Sequence, residues 1–206
     1  MTTVRETSSP ATPSATTTGF AVLDLETSGL APSKGARIIE IGVVAVGLDG
    51  TVVEQWETLV DPGCGPGPTH IHGVDAAMLS GAPSFDEIVG DLARVLAGRT
   101  LVAHNATFDV GFLDAELERS GVRWSRTSLC TMRLARRRGH HPANLAACCA
   151  AYGIVNQGAH RALADALATA ELLGFLAPCG DEVPVGVLFP AGHPAPSGRV
   201  HFRPVA

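Results

Sequence analysis

The stretch GFAVLDLETSG, residues 19–29, decides the fold and poses the problem of the site. Phe20 to Leu23 form an apolar run of the composition that fills a buried strand. Side chains on a strand alternate between faces, so Asp24 and Glu26 project from the same side, a few ångströms apart. Two carboxylates placed together at the end of a buried run repel each other. Either one holds a proton or a cation sits between them.

Working outward, ARIIEIGVVAVGLDGTVVEQWETLV (36–60) reads as two β-branched strands joined at the Asp-Gly turn of LDGT, an antiparallel hairpin. DPGCGPGP (61–68) is too rich in Gly and Pro for regular structure. SFDEIVGDLARVLAG (84–98) has apolar residues at helical spacing, with Ser84 as N-cap and Gly98 as stop. TLVAHN (100–105) is a fourth strand and ATFDVGFLDAELERSG (106–121) a helix. Further helices are expected over about 128–138, 143–152 and 161–177. A hairpin-led sheet flanked by helices is an α/β layered fold.

The chain has 206 residues, 46% hydrophobic and 17% charged, the size of one domain with modest extensions. The expected organisation is a disordered Thr/Ser/Pro/Ala tail over 1–18, a domain over 19–178 and a Pro-rich extension over 179–206. The first residues carry no apolar h-region, and no run is long enough to span a membrane. The five cysteines (Cys64, Cys130, Cys148, Cys149, Cys179) include no CxxC pair, so free thiols in a reducing cytoplasm are expected. Cys148 and Cys149 read as small core-filling residues. The net charge of −5 alone argues against a nucleic-acid partner. Yet fourteen of fifteen basic residues are arginine, the side chain suited to phosphate, and carboxylates holding metal ions would not repel it.

Two more acids belong with the first pair. Asp109 falls in the first turn of its helix, where the dipole favours an anion, but shares a face with Phe112 and Leu113. Asp165 sits on an Ala- and Leu-rich helix, with Ala168, Thr169 and Leu172 on its side. Both acids turn inward. His160, five residues before Asp165, lies about 140° away around an ideal helix and can share that site only from a preceding loop.

Singly, each residue has an ordinary reading: a cap, an ion-pair acid, a surface histidine. Together they fit phosphodiester hydrolysis, in which two divalent ions on the order of 4 Å apart clamp the scissile phosphate. Oxygen ligands suit Mg²⁺ or Mn²⁺, and a histidine titrating near neutrality can take a proton from water.

DLETSG, HNATFD and HRALAD, in that order, resemble the three motifs of the DEDDh 3′–5′ exonucleases, the family of the proofreading epsilon subunit of bacterial DNA polymerase III. The similarity takes in RIIEIGVVAV, THIHGV and NLAACCAAYGI and covers about residues 19–177. The resemblance implies an RNase H-like sheet, two metals held by Asp24, Glu26, Asp109 and Asp165, and His160 as general base. It also implies that Thr27, His72, Asn105 and Phe108 hold the terminal nucleotides, a base stacking on Phe108. As plain residues, Phe108 and Phe112 could both be core, and His72 and Asn105 could be turn residues.

The activity expected is release of nucleoside 5′-monophosphates from the 3′ end of single-stranded DNA or a frayed duplex, since the last phosphate must reach a recessed site. An RNA-trimming exonuclease and a non-catalytic nucleic-acid or clamp adaptor are the alternatives. A polymerase or a sliding clamp is a further expected partner; GVLFP (186–190) is similar to short clamp-binding peptides but lacks their leading Gln. The basic run MRLARRRGHH (132–141) reads as a solvated helix face or as a track for a substrate strand.

Overall fold

The computed structural model describes residues 17–176. Residues 1–16 of the expected tail, the extension over 179–206, Cys179 and the GVLFP segment lie outside the described residues. No helix among the described residues is long and apolar enough to cross a membrane.

Five strands make one sheet: β1 (Phe20–Thr27), β2 (Ile38–Val46), β3 (Val52–Leu59), β4 (Thr100–Ala103) and β5 (Ser128–Cys130). Their spatial order is β3-β2-β1-β4-β5. The β1, β2 and β3 pairings are antiparallel, and β4 and β5 join in parallel. The β2–β3 turn forms at the expected residues. Asp49 accepts hydrogen bonds from the Thr51 amide (3.0 Å) and hydroxyl (2.7 Å), and Gly50 takes φ 84°, a left-handed value suited to glycine.

Seven α-helices are described: α1 (Thr69–His72), α2 (Ala76–Leu79), α3 (Phe85–Leu96), α4 (Ala106–Arg119), α5 (Thr131–Arg137), α6 (Leu145–Tyr152) and α7 (Ala162–Leu176). Ser84 caps α3 as expected, its amide and hydroxyl both donating to the Glu87 carboxylate at 2.8 Å. One expectation is corrected: Ser128–Cys130 is strand, not the start of a helix. These three residues pair in parallel with Leu101–Ala103, and the chain becomes helical only at Thr131.

Alternation along β1 divides the core. Ala21, Leu23 and Leu25 face α3 and α4, with Leu92, Leu96, Phe112 and Leu113. Val22, with Val44 and Val46 of β2, faces α6 and α7, with Cys148, Ala166 and Leu172. Asp24 and Glu26 continue the row begun by Val22. The sheet thus points both acids toward α7.

Gly42 explains how close α7 comes. It pairs with Asp24 across the β1–β2 ladder, and a Cβ built on it would lie 2.3 Å from the Leu163 amide nitrogen and 2.4 Å from the Ala162 carbonyl carbon. Only a residue without a side chain lets the helix backbone rest on the strand there. Gly42→Ala should destabilise the protein by about 2 kcal/mol through overpacking. Gly111→Ala, at a helical glycine with nothing within 4 Å of its Cβ position, should stabilise it by about 0.5–1 kcal/mol. Equal melting temperatures for the two variants would refute this account of the packing.

Candidate active site

Asp24 and Glu26 occupy the end of β1 opposite Gly42 and Glu40 of β2. Asp109, 3% exposed, reaches them from the first turn of α4, and Asp165, 9% exposed, from the first turn of α7. His160 precedes α7 on an exposed loop, as its angular distance from Asp165 requires. Ligand atoms of Glu26, His160 and Asp165 lie within 4.8 Å of one another. The structure therefore brings together residues that stand at opposite ends of the domain sequence.

The electrostatics show how crowded the acids are. Burial, then Asp109, Asp165, Glu26 and Glu40, raise Asp24 well above the ordinary carboxylate range. Burial pushes Asp109 up to about 8, with Glu26 adding to the effect and the Leu25 amide opposing it. Glu26 rises to about 7 through burial, Asp165 and Glu40, with Arg161 opposing. A divalent cation ligated by oxygen would reverse all three shifts, so the donor set fits such an ion.

Two non-glycine residues among those described have positive φ, Asn105 at 77° and His160 at 67°. Both are site candidates from the sequence, and backbone outliers of this kind concentrate at functional positions. At Asn105 the conformation turns the chain from β4 into α4. Its exposed side chain makes no capping bond at the helix start.

The remaining candidates are placed less uniformly. The Thr27 hydroxyl donates to the Gly29 carbonyl at 2.7 Å, bracing the loop after β1. Phe108 is half-buried and tilted against Phe112 with ring centroids 4.9 Å apart, so it belongs partly to the core. His72 is buried and outside the Glu26, His160 and Asp165 triplet; its Nδ1 accepts the Val74 amide at 3.0 Å, and burial lowers its pKa. Arg133, Arg136 and Arg137 lie on an exposed face of α5.

Sequence reasoning missed the residues that hold this arrangement. Glu40, 2% exposed, accepts two bonds from Arg161 Nε (2.9 and 3.2 Å), one from Arg161 Nη2 (2.6 Å) and one from the Ala162 amide (3.3 Å). It thus anchors both the start of α7 and the residue next to His160. Asp165 is oriented in turn by the Asn156 side chain and by the His160 amide, the latter at 3.2 Å. His104 pins the β4–α4 junction, with Nε2 on the Ala143 carbonyl and Nδ1 on the Thr131 hydroxyl, each at 2.9 Å. A glutamate inside the apolar run RIIEIG was the signal for Glu40.

Arg161→Met would leave the Glu40 carboxylate buried with only an amide partner. Because the arginine side chain is 47% exposed, the loss should be about 2 kcal/mol, below the roughly 3–5 of a fully buried pair. Urea unfolding of Arg161→Met, Glu40→Gln and the double variant checks it. Additive losses would show that the two residues do not act as a pair.

This geometry can be set beside known proteins. A DNA polymerase III epsilon subunit of Rickettsia typhi is 32% identical over 161 residues, 73% of this chain and 70% of that protein. A PolC-type DNA polymerase III of Clostridium perfringens is 37% identical over 164 residues, 76% of this chain but 11% of the polymerase. The chain spans about half or less of the length of five other leading curated relatives.

Among solved structures, Escherichia coli exonuclease I in complex with a dT13 oligonucleotide aligns with a TM-score of 0.69 at 17% identity, covering 76% of this chain and 40% of that one. A 3′-exonuclease described by its 3′-end-specific recognition of a histone mRNA stem-loop aligns at 0.65 and 13% identity, covering 85% and 72%. These likenesses establish the shared RNase H-like sheet. The exonuclease family, RNase_T, matches residues 21–173, a span that holds all three acidic motifs, and the chain belongs to that family.

Proposed function

We propose that the protein is a metal-dependent 3′–5′ exonuclease that removes nucleoside 5′-monophosphates from the 3′ end of DNA. The observation that carries this reading is the convergence of Glu26, His160 and Asp165 beside the buried acids Asp24 and Asp109. Asp24, Glu26, Asp109 and Asp165 would hold two divalent ions, Mg²⁺ or Mn²⁺. When bound, such ions lower the pKa of the attacking water and stabilise the departing oxyanion.

His160, exposed on the loop before α7, would accept the proton of that water. The terminal base stacks on the exposed part of Phe108, while the uncommitted Asn105 amide is available to the nucleotide. Thr27 holds the β1 loop through Gly29, and the charge of Glu40 reaches the buried His72. Glu40 and Arg161 are positioning residues: they fix the base to the helix that carries Asp165.

Hydrolysis of a 5′-labelled single-stranded DNA with Mg²⁺ or Mn²⁺ tests the reading. A ladder shortening from the 3′ end, lost with EDTA and in His160→Ala, is the expected result. Cleavage from the 5′ end or at internal bonds, or full activity in EDTA, would overturn it. RNA trimming is the second reading, favoured by the histone mRNA 3′-exonuclease among the structural neighbours. Competition between matched DNA and RNA oligomers separates the two through their response to the 2′-hydroxyl. The epsilon relatives make a polymerase the first partner to test by co-purification.

A further inference from the structure

A polar cleft of about 370 Å³ opens between α4, β5 and α5, and its lining begins at Ala106 and Thr107, immediately beside Asn105 and Phe108. Thr107 and Ser128 bring hydroxyls, Arg126 and Arg133 bring guanidinium groups, and Gly111 leaves part of the wall without a side chain. The one acid in the lining, Asp114, is already engaged by Arg126 and by the Trp124 indole N–H at 2.8 Å. The cleft therefore presents donors and positive charge rather than a free carboxylate.

The cleft continues into a basic helix face. Arg133, Arg136 and Arg137 stand at i, i+3 and i+4 on α5, opposite the buried Thr131, Leu134 and Ala135. All three are exposed, and among the described residues none of them forms an ion pair. Arg136 lies near enough to act on His104, which directly precedes Asn105. Like charges at this spacing oppose helix formation, and in a chain of net charge −5 a stripe of three is a local reversal of sign.

We propose that this cleft and the α5 arginine stripe form a backbone track for single-stranded nucleic acid, binding phosphates upstream of the nucleotide held at the acidic site. The inference rests on the exonuclease reading for its substrate class, but concerns residues outside that site. Arginine donors with hydroxyls, and no base-reading pocket, suit recognition of phosphates without regard to sequence. The strand enters over α5, passes along the cleft wall at Gly111 and reaches Phe108 at the start of α4.

The test measures binding and turnover separately. Fluorescence anisotropy with a fluorescein-labelled oligothymidylate, in EDTA across a salt series, compares the full chain with a triple variant Arg133→Gln, Arg136→Gln, Arg137→Gln. The slope of log affinity against log salt should fall by roughly 0.7 for each phosphate no longer neutralised, about 2 for the triple variant. Gly111→Glu, which places an acid in open space on the cleft wall, should weaken binding in the same direction while the helix remains folded. In the nuclease arm with Mn²⁺, the triple variant should lower the ratio of kcat/KM on a long oligomer to that on a dinucleotide by about tenfold.

Unchanged salt slopes in both variants, or an unchanged long-to-short ratio, would overturn the track. A wild-type chain that cuts neither substrate would overturn the exonuclease reading instead. In that event the anisotropy comparison still decides the track by itself.

Discussion

Asp24→Asn should bind divalent ions weakly, hydrolyse DNA at least about a thousandfold more slowly than the parent, and fold at least as well. A thousandfold loss corresponds to about 4 kcal/mol of barrier, within what two-metal clamping of a phosphoryl centre supplies. The folding half of the expectation follows from the crowding. Asp24 is raised by burial and by four other carboxylates, so an amide of the same shape removes repulsion without leaving a hole. Metal-free Asp24→Asn should therefore melt above the metal-free parent near pH 8. A variant that keeps most of its turnover would sink the assignment; one that unfolds would show that Asp24 stabilises the strand end.

Metal removal and pH should act on stability through the same acids. Asp109 at about 8 and Glu26 at about 7 bind protons more tightly in the folded chain than in the unfolded one, whose carboxylates titrate near 4. Their contribution is fully present below the unfolded values and is lost as pH rises through the folded ones. The metal-free protein should thus lose about 2 kcal/mol, or roughly 5 °C in Tm, between pH 6.5 and 8.5. Below that window the depressed His72 and His104 act in the opposite sense, so the comparison belongs above it.

Mn²⁺ bound at the proposed site would take the place of those protons. At a thousandfold excess over its Kd it should add about 4 kcal/mol, with a larger rise in Tm at pH 8.5 than at pH 6.5. Scanning calorimetry with EDTA or Mn²⁺ at the two pH values measures all four quantities. A metal-free protein more stable at the higher pH would contradict the burial of these acids.

Where strands alternate cleanly and helices carry caps, the sequence was sufficient. The β1 alternation placed Asp24 and Glu26 on one face, Asp49-Gly50 marked the hairpin and Ser84 marked the start of α3. The angular argument for His160 put it on a loop, where it lies. What escaped is what only tertiary packing creates. Ser128–Cys130 is a strand because Leu101–Ala103 lie alongside, and three residues next to a helix carry no period of their own.

Glu40 and Arg161 are separated by most of the domain, so neither announces the other. Glu40 looks like one polar residue in an apolar strand until α7 is docked on it. Gly42 similarly reads as a weak point in β2, whereas in the fold it is where the helix touches the sheet.

The dependence of the site on α7 also has a meaning in time. Asp24 and Glu26 are made early and Asp165 last, so a growing chain carries the first two acids for roughly ten seconds or more of synthesis before the final one joins them. During that interval the remaining four strands of the sheet are synthesised, all of them before Asp165. With the proposed role of Asp165, the order of the motifs would delay hydrolysis until translation of the domain is essentially complete. On the same proposed role, undocking of α7 from β1 and β2 would remove Asp165 from the other acids even with the strand pairings intact.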